Sequence, residues 1–364
     1  MARSPRTPPP WLISGIERVR SGLSFLHRST VPANIALLEL GFGAWLTQAL
    51  CAAARLGIAD ALSAGPLTAD EVARRVGTDP GATYRLMRAL ASRGVFRLRR
   101  DGRFALTPMG RALRSDADGS MAPMLRLIGS PEHWQHWSDL AYSVQTGRTA
   151  VEKQRGTPIF EYLQTNPEYA AIFNDAMTGV SSLATEAAVP LYDFSDRRLV
   201  IDVGGGHGAL LAAVLTRAPQ ANGILYDLPS VVADAGPVLD AAGVSARCAV
   251  TDGSFFDSVP DGGDAYLLKS IIHDWDDESS LTILRNVRAA MAADAKVLLF
   301  EMVLPQGAPP HPGMLLDLEM LVHAGGRERT AQQYAELLSR AGLRMTRVIP
   351  TAGPASIVEA VAAS

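Results

Sequence analysis

The chain has 364 residues, long for one hydrophobic core, so two domains are expected. A formal charge of −3 gives no global argument for a nucleic-acid or membrane partner. The two cysteines, Cys51 and Cys248, lie far apart and outside any C-x-x-C pair, which argues against a disulfide framework or a zinc site and reads as reduced thiols in a cytoplasmic protein.

Residues 1–34 read as a flexible tail. Met1 to Pro10 carries proline at four positions and is followed by no signal-peptide core. Leu37 to Ala54 is the longest apolar candidate for a membrane span, but it is rich in Gly, Ala and Gln, so a soluble protein is expected. Residues 35–115 form the first domain. Thr68-Ala-Asp-Glu71 is a capping box that opens a helix to Val76, and Asp79-Pro80 starts a second helix that ends near Gly94. Phe96-Arg-Leu and Arg103-Phe-Ala-Leu flank Asp101-Gly102, a hairpin with a predicted type I′ turn, and Thr107-Pro108 caps a further helix. The order is that of a winged helix. Nine arginines against Asp101 over residues 85–114 leave DNA binding open beside a packing or dimerisation role.

Residues 116–190 read as a helical connector dense in aromatics. Such residues at helical spacing usually build core, yet a segment between domains also lines ligand pockets, which makes Trp134, Phe173 and Met177 candidates for walls of a flat ligand. His133 and His136 are spaced to share a metal but have no adjoining acidic partner, so packing is the simpler reading.

From residue 191 to 364, strand-length apolar runs at 199–203, 223–227, 246–250, 264–270, 295–302, 343–349 and 356–361 alternate with helical patterns. This is a doubly wound α/β sheet, which binds ligands beyond the carboxyl ends of its strands. Leu199-Val-Ile-Asp-Val-Gly-Gly-Gly-His-Gly208 runs from a buried strand into a glycine turn and then a helix, the arrangement that lets a ligand approach free backbone amides. Asp227 follows at about the 20-residue distance from which a carboxylate reaches a ribose hydroxyl. Gly204-x-Gly206-x-x-Ala209 fits a nicotinamide cofactor, and Gly204-x-Gly206-x-Gly208 fits S-adenosylmethionine (SAM).

Asp202, Asp227, Lys269, His273 and Glu301 fall at or just after strand ends and should face one crevice. His273 is the natural proton acceptor at neutral pH. Glu301, a charge in an apolar run, is expected to bond the imidazole N–H, with Glu328 either a second orienter or a surface residue between two arginines. The acidic run Asp274, Asp276, Asp277 and Glu278 reads either as a cation site or, more simply, as a solvated helix N-terminus.

From about residue 37 to the C-terminus the chain resembles the SAM-dependent O-methyltransferases of the caffeic-acid type. The motifs are Asp202-Val-Gly-Gly-Gly-His-Gly208, Tyr226-Asp-Leu-Pro229, Gly253-Ser-Phe-Phe256, Leu268-Lys-Ser-Ile-Ile-His-Asp-Trp275 and Gly326-Arg-Glu-Arg-Thr330. The resemblance implies a Rossmann-like methyltransferase sheet behind a mostly α winged-helix domain that forms a homodimer and does not read DNA. It implies that Gly204, Gly206 and Gly208 wrap the methionyl part of SAM. Asp227 would hold the ribose, Phe255 would flank the adenine and Lys269 would sit nearby, with Asp202, Leu228, Gly253, Ser254 and Phe256 completing the cofactor set. His273 would deprotonate a hydroxyl of an aromatic or polyketide-like acceptor, oriented by Glu301 and Glu328, with no metal. Trp134, Phe173, Met177, Asp274 and Met320 would meet the acceptor. Ser254 departs from the acidic residue common in the family, which puts adenine binding in question. Some relatives use the same fold for decarboxylation or hydroxylation, and a nicotinamide-dependent oxidoreductase is the remaining alternative.

Overall fold

The computed structural model describes residues 10–363 apart from Ala308 and Pro354. The chain divides into two compact units. One holds Gly22–Leu140 and Phe160–Val180, and the other holds Ala141–Ile159 and Ser181–Ser364 with the N-terminal stretch to Ser21. The segment read as a connector is thus shared between them.

Part of the expected tail, residues 1–9, lies outside the described residues. Pro10–Ser29 is a helix, contrary to the flexible tail. Its prolines are confined to the first residues, and beyond them Val19, Leu23 and Leu26 recur at helical spacing. Helices Ala33–Gly41 and Gly43–Arg55 follow. In length and apolarity alone Ala33–Arg55 is sufficient to cross a membrane, with a mean hydropathy of 1.5, because its leucines and alanines outweigh the glycines and the glutamine that argued against it.

In the first unit Thr68 Oγ1 accepts from the Glu71 amide at 3.2 Å while Glu71 Oε2 accepts from the Thr68 amide at 2.7 Å, which closes the predicted capping box before helix Ala69–Val76. Asp79 caps helix Pro80–Ser92 through the Ala82 amide. The hairpin pairs β1 (Phe96–Leu98) with β2 (Phe104–Leu106). Its turn is not type I′. That turn needs positive φ at both central residues, and Asp101 does not adopt it. The loop is one residue longer, closed by Arg99 N to Arg103 O at 2.8 Å, and only Gly102 takes the left-handed conformation. Ile58, Val72, Met87, Leu90, Phe96 and Phe104 form the core beneath.

The second unit is built on a seven-stranded sheet. Its strands are β3 (Leu199–Val203), β4 (Asn222–Asp227), β5 (Cys248–Asp252), β6 (Ala265–Lys269) and β7 (Lys296–Glu301), followed by β10 (Leu343–Ile349) and β11 (Ser356–Ala362); the short β8 (Val303–Leu304) and β9 (Arg329–Thr330) pair separately. The order is β10-β11-β7-β6-β3-β4-β5, with β11 antiparallel to both neighbours and the other six strands running in one direction. β5 begins two residues later than predicted because Ser245–Arg247 forms a 3-10 turn, whose Arg247 guanidinium is tied to the carbonyls of Leu215, Ala218 and Ala221. The central strands carry apolar residues on both faces, as helices on both sides require. The chain goes from β3 outward to β4 and β5, then returns to place β6 on the other side of β3. The strand ends part there, and an open α/β sheet binds its ligand at that switch point.

Replacing Thr68 with Ala should cost about 1 kcal/mol by removing one half of the capping box and lower the first unit's Tm by a few degrees. Differential scanning calorimetry that finds no change would show that the box is dispensable.

Candidate active site

At the end of β3 the amides of Gly204 and Gly205 both donate to the carbonyl of Tyr226, at 2.8 and 3.3 Å. Gly204, Gly206 and Gly208 take φ of +67, +60 and +84, which side chains rarely adopt. A Cβ on Gly204 would come 2.5 Å from Ile271 Cδ1 and 3.4 Å from the ring of Phe255, so that ring lies over the loop. At Gly206 a Cβ would meet nothing within 4 Å, leaving this stretch of backbone facing open space. Helix Ala209–Arg217 starts behind the loop without a cap of its own, and Asp202 supplies one from the strand below by accepting from the Leu211 amide at 3.2 Å. Asp202 is buried beneath the loop, its Oδ1 has no partner, and burial pushes its carboxyl up to about 7 against the pull of Lys269 and that amide.

Asp227 closes the same turn from β4. Its Oδ2 accepts from the Gly206 amide at 2.8 Å and its Oδ1 from the exposed Leu228 at 2.7 Å. Burial raises its pKa and the two amides lower it. The Gly253 amide donates to the Asp227 carbonyl at 3.0 Å, and a Cβ on Gly253 would collide with the Tyr226 hydroxyl. Ser254 Oγ accepts from the Phe256 amide at 3.2 Å. The carbonyls of Phe255 and Phe256 are both held by Asn286 Nδ2 at 2.9 Å, and the two rings pack with Trp275. Asn286 was not singled out from the sequence; its one signal is a polar side chain within an apolar stripe.

After β6, Ser270 has φ +54, and it is the sole non-glycine residue with positive φ among the described residues. The turn Ile272–Asp274 then presents His273, with its side chain 14% exposed. Nδ1 lies 2.8 Å from Glu328 Oε1 and 4.0 Å from Glu301 Oε2, while Nε2 is 3.5 Å from Asp274 Oδ1. The expected order of the two glutamates is therefore reversed. Glu328, only 2% exposed, makes the imidazole bond, and the surface alternative is excluded. Glu301 instead spends Oε1 on the amides of Ile271 and Ile272, at 3.1 and 2.8 Å, and braces the turn beneath the ring.

Burial opposes the charging of His273, but Asp274, Glu301 and Glu328 outweigh it and raise its pKa to about 10. Burial pushes Glu301 up to about 7 and Asp274 to about 6, with His273 pulling both back. These groups share protons as a set. In the neutral imidazole, a carboxylate acceptor at Nδ1 keeps the ring proton there and puts the lone pair on Nε2, an assignment made from the hydrogen bond. Lys269, buried at the end of β6, bonds Ser181 Oγ; burial lowers its pKa, opposed by Asp202 and Glu301.

The Glu328 loop reaches the turn because Gly326 has no side chain. A Cβ there would fall on the His273 carbonyl oxygen, which instead accepts from the Arg327 amide at 2.8 Å. Asp317, another residue the sequence did not reveal, accepts from the Glu328 amide at 2.8 Å. The acidic run is accounted for member by member. Asp276 caps helix Asp277–Ala290, Asp277 pairs with Arg329, and Glu278 pairs with Arg340. Met320 is buried in helix Gly313–His323 of this unit. Trp134, Phe173 and Met177 belong to the other unit, where Trp134 and Met177 are 39% and 38% exposed. His136 packs its ring against Tyr162 and Tyr169 there.

An open backbone at Gly206, a carboxylate at the end of β4 and an aromatic ring over the loop fit a ribose-bearing cofactor. Comparison with known families decides which. Residues 137–344 match the O-methyltransferase domain, and residues 38–116 match the O-methyltransferase dimerisation domain. The chain belongs to the SAM-dependent O-methyltransferase family. It is 44% identical to a phenazine O-methyltransferase of Lysobacter antibioticus over 91% of this chain and 96% of that one. It is 42% identical to the O-demethylpuromycin-O-methyltransferase of Streptomyces alboniger, over 92% and 90%. Among solved structures, CalO1, a methyltransferase of calicheamicin biosynthesis solved with S-adenosylhomocysteine (SAH) bound, superposes with a TM-score of 0.83 at 37% identity, covering 91% of this chain and 98% of that one. The methyltransferase reading of the glycine turn thus prevails over the nicotinamide one.

Replacing Gly326 with Ala in this methyltransferase should destabilise the second unit by about 1–3 kcal/mol, since backbone must move to admit the methyl group. Urea denaturation that finds the variant as stable as the parent would refute so close an approach.

Proposed function

We propose that this enzyme moves a methyl group from SAM to a hydroxyl of an aromatic or polyketide-like small molecule, with His273 as general base. The 2.8 Å bond between His273 Nδ1 and Glu328 carries this reading, because it fixes the tautomer whose Nε2 accepts a proton. Bound SAM supplies a methyl group already activated on a sulfonium. Gly204, Gly206 and Gly208 offer backbone to it, Asp227 keeps lone pairs for ribose hydroxyls, and Phe255 offers a ring face to the adenine, with Ser254 and Lys269 nearby. As the acceptor O–H breaks, its proton passes to Nε2 and leaves a nucleophilic oxygen; SAM, when bound, would supply the methyl carbon, and its sulfur would keep the electron pair of the broken C–S bond and depart as SAH. The imidazolium so formed is offset by Glu328, Glu301 and Asp274. Beyond these groups the task is alignment, which supplies much of the rate in such displacements. On this reading Asp274, 3.5 Å from Nε2, and Met320 would meet the acceptor.

The first unit serves as the pairing surface of a homodimer. Ile35, Leu37, Leu38, Leu40 and Trp45 are exposed in the single chain, and the dimerisation match begins at residue 38, so a second copy, rather than DNA or a bilayer, covers them. The two free cysteines support a cytoplasmic setting.

Calorimetry on cofactor-stripped protein should show SAH binding and no NAD binding, with EDTA present throughout. Asp227→Ala should weaken SAH binding by about 10- to 100-fold, the worth of hydrogen bonds to a buried charge; an unchanged Kd would remove Asp227 from the ribose site.

A base with a pKa of about 10 is mostly protonated at neutral pH, so kcat/KM should climb as pH rises toward that value and more Nε2 becomes free. His273→Gln should abolish this rise and lower turnover by roughly two to four orders of magnitude while SAH affinity holds. Turnover within tenfold of the parent enzyme would exclude His273 as the base.

A further inference from the structure

The buried guanidinium of Arg329, which the mechanism above does not use, lies behind the His273 turn. It is 1% exposed, and its donors are spent on that turn. Nη1 donates to the carbonyl of Ile272 at 2.9 Å and to that of Arg327 at 3.3 Å; Nη2 donates to the carbonyl of Trp275 at 3.0 Å, to Asp277 Oδ1 at 2.8 Å and to Ser280 Oγ at 3.4 Å; Nε donates to Asp277 at 3.2 Å. Ser280 Oγ reaches the same two carbonyls, each at 3.3 Å.

We propose that Arg329 is a positioning residue for the base: by clamping the carbonyls on either side of His273 it sets the contact between Nδ1 and Glu328. Neighbours along an extended segment put their side chains on opposite sides. Glu328 thus meets the imidazole while Arg329 meets the backbone that carries it, and one dipeptide grips the residue from two directions. A planar fork with several fixed donors can hold two carbonyls and a carboxylate at once, which the single ammonium of lysine cannot. Burying this charge is costly, and Asp277 is its one ion-pair partner among the described residues. That cost goes into a turn in which the carbonyl of His273 itself is also held, by the Arg327 amide.

The proposal rests on the reading of His273 as base, and its test separates the two. With 15N-labelled histidine in the full-length protein, the His273 signal, assigned by its loss in His273→Gln, is followed across pH beside steady-state kinetics. The groups that face the ring are Asp274, Glu301 and Glu328, and a loosened turn weakens their hold. Arg329→Lys should therefore lower the His273 pKa by at least about one unit and, by misaligning the base, lower the limiting kcat read above that pKa, where His273 is neutral in both proteins, by about 10- to 100-fold, with KM for SAM little changed. An unchanged His273 titration overturns the proposal whether or not kcat falls, since a fall alone marks a merely structural residue. So does a shifted titration with an unchanged limiting kcat. If Arg329→Lys does not fold, Ser280→Ala decides by the same two readouts, in the same direction and with smaller effect, and no change in it overturns the proposal. Retained turnover in His273→Gln would remove the base reading alone, because the spectrum reports the imidazole directly.

Discussion

Two buried carboxylates, Glu301 and Glu328, have to be compensated at the end of a parallel sheet, and much of the site is arranged around that requirement. An uncompensated carboxylate in such surroundings is expensive, so each is paired, hydrogen-bonded or partly protonated. Glu328 takes the imidazole, Glu301 takes two amides of the same turn, and each retains one oxygen, Oε2, with no hydrogen bond among the described residues. The imidazole is hydrogen-bonded to a carboxylate at Nδ1, while at Nε2 its neighbour Asp274 stands off at 3.5 Å.

The glycine-loop half of the site repeats this arrangement at lower charge. Asp202 lies under the glycine loop and Asp227 beside it, and both accept amides from the turn or the helix behind it. Lys269 stands between the halves. It ends β6, the strand between β3, which carries Asp202, and β7, which carries Glu301, and both acids act on its charge. Through Lys269 the sheet therefore links the glycine loop and the acids around His273 electrostatically, although they come from separate crossovers. The reversal of strand order between β3 and β6 opens the crevice in which they meet.

The fold was largely legible in the sequence because its signals are local. Apolar runs mark the seven strands, the Thr68 capping box and Asp79-Pro80 mark helix starts, and glycines mark turns that demand positive φ. Where local signals compete, the reading strayed. Asp101-Gly102 resembles a two-residue turn, but the pairing of Arg99 with Arg103 makes the loop one residue longer. The prolines of the first ten residues obscured a helix whose apolar spacing begins only afterwards.

For the site, the sequence by itself determined the chemical inventory: a glycine turn after a buried strand, an acid at ribose distance, a histidine beyond a strand end and two glutamates downstream. Strand ends of a doubly wound sheet converge, so these residues could be assigned to one crevice before any coordinates. Which glutamate bonds the imidazole was decided by tertiary structure alone, because Glu301 and Glu328 approach His273 from different elements, and only three-dimensional packing tells 2.8 Å from 4.0 Å. The same holds for Arg329, Asp317 and Asn286, whose partners lie 57, 11 and 31 residues away. Their significance lies in backbone groups of other segments, and these leave no mark in the order of side chains along a chain.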